Sequence, residues 1–142
     1  MHGVDFVLIG GHAVVFYGVR RTTSDIDILV RPTLENGTGI LKAFAALKLE
    51  TKDIQVSDFT SEQVFTFGME PDAVDILTFS RGVPLDDIFH NAIQTRMDSL
   101  SIRIIDIKDL LKNKENLNRS NEKGLVDQQD ILALRRILKA KS

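Results

Sequence analysis

GGHAVVFYGVRRTTSDIDILV, residues 10–30, sets two glycines at the end of one apolar run and two aspartates at the start of another. Upstream, Val4 to Ile9 (VDFVLI) is a short apolar run closed by Gly10-Gly11, the pattern of a buried strand. His12 to Tyr17 then has the length of about two helical turns and stops near Gly18. Arg20 to Ser24 is polar and turn-like. Asp25 to Val30 is rich in Ile and Val and closes at Pro32, which predicts a strand entered through its carboxylates. Glycines and acids are thereby expected at the same end of two neighbouring strands.

Composition bounds what such a stretch can belong to. The 142 residues are 43% hydrophobic and 27% charged, which fits one soluble domain over 1–142 and excludes disordered or fibrous classes. The absence of cysteine excludes a disulfide framework and any thiolate metal site. His2 and His90 lack metal-ligand spacing, and His12 is expected to bond locally at a helix start. The apolar segment 6–19 is edged by Asp5 and broken by Gly-Gly-His, so it reads as buried structure rather than a signal peptide. With no other apolar run of about 18 residues, the expected location is cytoplasmic, without a membrane partner. Charge is unevenly spread: residues 1–107 hold nine Lys and Arg against fifteen Asp and Glu, and residues 108–142 hold nine against five. A basic tail of this kind is either a solvated pair of helices or a wall facing a polyphosphate.

Farther along, apolar residues at 40, 41, 44, 45, 47 and 49 predict a helix within Leu34 to Leu49, from about Gly39 onward. Strands are expected at Gln63 to Phe67, Ala73 to Phe79 and Leu100 to Ile105, and a helix at Leu85 to Gln94. Two final helices, Asp106 to Leu117 and Leu125 to Leu138, are joined by the polar loop NRSNEKG. The sum is an α+β (α/β) domain, a small mixed β-sheet flanked by helices with a C-terminal helical pair.

The residue types at 10–27 point to phosphate and metal chemistry. Asp25 and Asp27, two apart in a strand, project to one face about 6 to 7 Å apart at their Cα atoms. Two carboxylates aimed at one point repel unless a cation lies between them, and Mg²⁺ prefers such hard oxygen ligands shared with substrate phosphates. Gly10-Gly11 lets the backbone approach a ligand and leaves N–H groups free at a helix start, where an anion is favoured. The stretch lacks both the dinucleotide Gly-x-Gly-x-x-Gly and the Lys-Ser/Thr of a P-loop. Thr23 and Ser24 are expected to orient the turn.

Gly10-Gly11, the Asp25-Ile-Asp27 pair that follows, and a later acid between apolar neighbours (AVDIL, Asp75) together resemble the signature of the nucleotidyltransferase superfamily with the DNA polymerase β type of fold. Within it the chain is similar to small bacterial nucleotidyltransferases, including the catalytic domains of abortive-infection type toxins. Arg21-x-Thr23-x-Asp25-Ile-Asp27, Leu110-Leu111-x-x-Lys114, Arg119 and Asp127-x-x-Asp130 carry that likeness. The resemblance implies that Asp25, Asp27 and Asp75 are catalytic and bind two Mg²⁺ ions, or Mn²⁺ in their place. Glu70 and Asp72 are the neighbouring alternatives to Asp75. It implies that Gly10, Gly11, Arg21, Lys114 and Arg119 bind the nucleotide, with residues 107–142 closing over a core at 1–106. Asp127 and Asp130 either bind the sugar or cap and pair on a helix. The sequence departs from the family in Val126, where Lys is usual, and in a longer loop before Asp127; family members often begin with a helix, whereas here Met1-His2-Gly3 runs almost directly into the first strand.

The expected activity is Mg²⁺-dependent transfer of a nucleoside monophosphate from a nucleoside triphosphate to a hydroxyl of RNA (a tRNA end), protein or a small molecule, in a setting that includes toxin–antitoxin or phage defence with an antitoxin partner. The alternative is a non-catalytic nucleotide- or partner-binding module on the same fold. A phosphatase of the haloacid-dehalogenase type is disfavoured, because its apolar strand precedes the aspartates rather than following them.

Overall fold

A six-stranded mixed sheet carries the molecule in the computed structural model, which describes residues 3–23, 25–49, 51, 53–69 and 72–141, the side chain of Met97 excepted. In chain order the elements are β1 (Phe6–Ile9), α1 (Gly10–Phe16), β2 (Ile26–Val30), α2 (Leu34–Ala46), a 3-10 turn (Val56–Thr60), β3 (Val64–Phe67), β4 (Val74–Leu77), α3 (Leu85–Asn91), β5 (Ile93–Met97), β6 (Leu100–Ile104), α4 (Ile107–Glu115) and α5 (Glu122–Lys141). The strand order is β3-β4-β2-β1-β6-β5. β1 runs antiparallel to β2 and parallel to β6, while β2 and β4 are parallel.

Strand alternation divides the core in two. Val30 and Ile76 pack with Ile40 and Phe44 of α2 and with Phe59 of the 3-10 turn. Two aromatic pairs hold that layer: Phe44 on Phe67 at 4.2 Å and Phe59 on Phe65 at 4.3 Å between centroids. Val7, Leu29 and Ile104 enter the other layer with Ala13 and Val14 of α1, Ile88 of α3, Leu110 of α4 and Leu134 of α5. Asp27 and Asp75 share the strand parity of Leu29 and Leu77, which places them toward the α4–α5 side.

The expected strands and helices are present, with differences at their edges and one omission. α1 begins at Gly10, so the two glycines are its first residues rather than a turn ahead of it. α2 begins at Leu34, five residues before the expected Gly39, because Thr33 Oγ1 accepts the Asn36 N–H at 3.1 Å and caps it. Gly37 does not weaken this start, since a Cβ there would lie 2.8 Å from the Val56 carbonyl oxygen and 2.9 Å from the Phe59 ring. The helix expected over Leu85 to Gln94 stops at Asn91, and residues 93–97 form β5 instead. There Asp98, at φ 57, turns the chain so that Met97 pairs with Leu100. Finally, α5 starts at Glu122, shortening the polar loop.

Candidate active site

Register creates the acidic centre. In the parallel pair β2–β4, Asp27 stands opposite Asp75, and in the antiparallel pair β1–β2 it stands opposite Ile9, the residue before Gly10. Burial pushes the Asp27 carboxyl up to about 6, with the charges of Asp75 and Asp25 acting in the same direction and Lys114 opposing. Asp75 Oδ1 also accepts from Thr66 Oγ1 at 2.7 Å across the β3–β4 ladder. Asp25, just before β2, turns one oxygen to the Ala73 N–H at 3.3 Å.

Glycines let the backbone close on this centre. Gly10 has φ +71, and a Cβ there would collide with Asp27 Oδ2 and lie 2.9 Å from Asp27 Cβ. At Gly11 a Cβ would run into Thr23 Oγ1 and come 2.8 Å from Arg21 Nη2. The first turn of α1 thus abuts both the acids and an arginine.

The opposite wall is a buried ion cluster on α4 and α5. Lys114, 5% exposed, reaches Asp127 Oδ1 at 3.1 Å and Asp130 Oδ2 at 3.2 Å. Arg119 donates to Asp127 through Nε at 2.7 Å and Nη2 at 2.5 Å. Arg21 Nε lies 2.9 Å from Asp130 Oδ1. Burial would raise the Asp127 pKa, but the Arg119 hydrogen bond and the Lys114 charge hold it below the usual carboxylate range. Asp127 and Asp130, i and i+3 on one helix, therefore fix three cations that come from well-separated parts of the chain.

Gly10, Gly11, Arg21, Asp25, Asp27, Asp75, Lys114 and Arg119 all line one open cleft of about 540 Å³. Asp72 is exposed and outside it, while His2, Ser24 and Glu70 lie outside the described residues. Of the two readings of Asp127 and Asp130, the pairing role is the one their contacts display. Sequence reasoning missed three contributors. Thr66 is identifiable only from register, Arg81 only from the loop that carries it, and Gly124 only from its contact with Arg119, whose backbone carbon would lie 2.8 Å from a Cβ at 124.

Among the described residues no three His, Cys, Asp or Glu side chains form a ready-made metal cage. The Asp27–Asp75 pair still fits Mg²⁺, which takes one or two carboxylates and completes its shell with water and phosphate oxygens. Two facing carboxyls, one of them pushed toward its protonated form by burial and by its neighbour's charge, are the donor set a cation would bind.

Comparison with solved structures shows that this mixed sheet and its helices have the nucleotidyltransferase fold. The chain is similar to LnuA, a lincosamide antibiotic adenylyltransferase with lincomycin bound, at 19% identity over 94% of this chain and 87% of that one, with a TM-score of 0.58. It is also similar to a Thermotoga maritima protein proposed to be a nucleotidyltransferase, at 18% identity over 98% of this chain and 79% of that one, with a TM-score of 0.55. No family model matches the chain, and no curated protein does. No helix among the described residues is long and apolar enough to cross a membrane.

Proposed function

We propose that the protein is a Mg²⁺-dependent nucleotidyltransferase, moving a nucleoside monophosphate from a nucleoside triphosphate to an acceptor hydroxyl. The observation that carries this reading is the pairing of Asp27 with Asp75 beside Gly10, facing three cations across one cleft. Asp27 and Asp75, with Asp25 at the entry of β2, are the residues that would hold Mg²⁺ or Mn²⁺, which when bound supplies charge neutralisation on the phosphates. The Gly10–Gly11 backbone offers N–H groups and close approach to the triphosphate. Lys114 supplies a fixed positive charge, and Arg21 and Arg119 present planar donors to the leaving pyrophosphate. Asp75 takes the proton of the acceptor hydroxyl as its oxygen bonds to the α-phosphorus and the bond to pyrophosphate breaks. Residues 1–106 provide the three acids and Arg21, and 107–142 provide Lys114, Arg119 and the carboxylates that hold the cations.

The resemblance to abortive-infection type toxin domains supports an acceptor on RNA or protein, an antitoxin partner and a cytoplasmic setting. The likeness to an antibiotic adenylyltransferase keeps a small-molecule acceptor in view. Transfer of label from each α-labelled nucleoside triphosphate, with Mg²⁺, to total tRNA and to cell lysate tests the reading. A labelled band absent with the Asp25→Asn/Asp27→Asn double variant is the expected result. Folded wild-type protein that labels nothing with any nucleotide would shift the reading to a nucleotide-binding module without turnover.

A further inference from the structure

The cations of the cleft are not equally engaged. Arg21, Lys114 and Arg119 are each tied to Asp127 or Asp130. Arg81 and Lys123 also line the cleft, and among the described residues neither is in an ion pair. Arg81 differs from Lys123 in the way its backbone is held. The buried Asn113 of α4 donates from Nδ2 to the Arg81 carbonyl at 2.9 Å and to Ser80 Oγ at 3.1 Å. On the other side Gly82, at φ +84, lies so close to Asn116 that a Cβ would come 2.5 Å from its Nδ2. Asn113 of α4 therefore fixes the loop after β4 and Asn116, at the end of that helix, packs against it, with the exposed Arg81 guanidinium 5.8 Å from the Phe79 ring centroid.

Position gives this cation its role. Asp75, Leu77 and Phe79 follow one another at alternate positions, and all three line the cleft, so its floor changes from acidic to apolar along the chain. Gly10 and Gly11 lie on the other side of Asp27, toward β1. In-line displacement sets the entering and leaving oxygens on opposite sides of the phosphorus. With pyrophosphate at the glycine turn, the Phe79–Arg81 end is the entry side. A second cavity of about 520 Å³, lined by Glu62, Phe79, Ser80, Arg81, Gly82 and Asn116, continues the cleft there.

Resting on the nucleotidyl-transfer reading, we propose that Phe79 and Arg81 form the acceptor subsite, and that the acceptor carries a flat ring with an anionic group, phosphate or carboxylate, beside it. The ring lies on Phe79 and the anion takes charge-assisted hydrogen bonds from Arg81. A guanidinium with no carboxylate partner among the described residues gives up no ion pair there when the anion arrives.

Calorimetric titration of the full chain with Mg²⁺ and α,β-methylene-ATP, then of the loaded protein with AMP or with adenosine, tests this on wild type, Arg81→Ala and Arg81→Lys. The expected result is AMP binding weakened tenfold or more in Arg81→Ala and less in Arg81→Lys, with adenosine and the triphosphate analogue within twofold of wild type. AMP binding that is absent or indifferent to Arg81 overturns the proposal. Equal loss of analogue affinity also overturns it, by placing Arg81 on the donor nucleotide. If wild type fails to bind the analogue while AMP binding still depends on Arg81, the donor reading fails and the anion site stands. Circular dichroism confirms that the variants fold, as expected for an exposed side chain whose loop is held through its backbone.

Discussion

Asp27 and Asp75 stand directly opposite each other on neighbouring parallel strands, and Thr66 of the next strand donates to the Asp75 carboxylate. Burial and the Asp75 charge both disfavour an ionised Asp27 carboxyl, and a cation bound between the two groups would offset both effects.

A pH dependence follows from the Asp27 shift, from 3.8 to about 6. Between those values the folded protein keeps a proton that the unfolded chain has lost, so metal-free stability falls as pH rises through that window. Mg²⁺ replaces the proton, so its affinity rises with pH up to about 6 and its binding releases protons below that. Thermal melts at stepped pH, with and without Mg²⁺, check both signs. Asp27→Asn should flatten the metal-free dependence while abolishing the gain from Mg²⁺.

Gly10→Ala forces a side chain into positive φ and against Asp27. The expected cost is about 1–3 kcal/mol of stability, accompanied by loss of label transfer. Urea unfolding and the transfer assay measure the two separately.

Lys114 is the charge two buried carboxylates share. Lys114→Met leaves Asp130 paired only with Arg21 and Asp127 only with Arg119, and the expected destabilisation is about 3–5 kcal/mol, as for other broken buried pairs. Replacing Arg135, whose bridge to Glu115 is at the surface, should cost less than about 1 kcal/mol. Denaturant midpoints of the two variants give the comparison.

Gly124→Ala is expected to run against helix propensity. Alanine within a helix usually gains about 0.5–1 kcal/mol over glycine, but here its Cβ meets the Arg119 carbonyl. The loop must move and with it the Arg119–Asp127 pair. A lower melting temperature and weaker triphosphate binding are expected, and a variant that is both more stable and fully active would refute the contact.

The three acids of the cleft were legible because strand parity and a short glycine-to-aspartate spacing survive in one dimension. Asp25, Asp27 and Asp75 all reach the cleft where their sequence pattern put them. β5 was not legible: IQTRM follows a helix without a proline or glycine break, and its pairing with β6 depends on a turn at Asp98 that has no glycine. The early start of α2 escaped for a related reason, since the helix penalty of Gly37 is offset by the close approach of Phe59, a neighbour in space only. Arg81 escaped notice because nothing in Phe-Ser-Arg-Gly announces that Asn113 will hold it. Pairwise placement by distant polar side chains leaves no periodic trace.

The ion cluster also orders events in time. During synthesis the glycine turn, the three acids and Lys114 emerge first, and Asp127 and Asp130 follow on the last helix. Until α5 docks, Lys114 and Arg21 have no fixed anionic neighbours on that wall, and the cleft has acids on one side and freely moving cations on the other. A nascent chain would therefore acquire an ordered cationic wall in one late step rather than gradually, when Asp127 and Asp130 arrive to hold Lys114, Arg119 and Arg21.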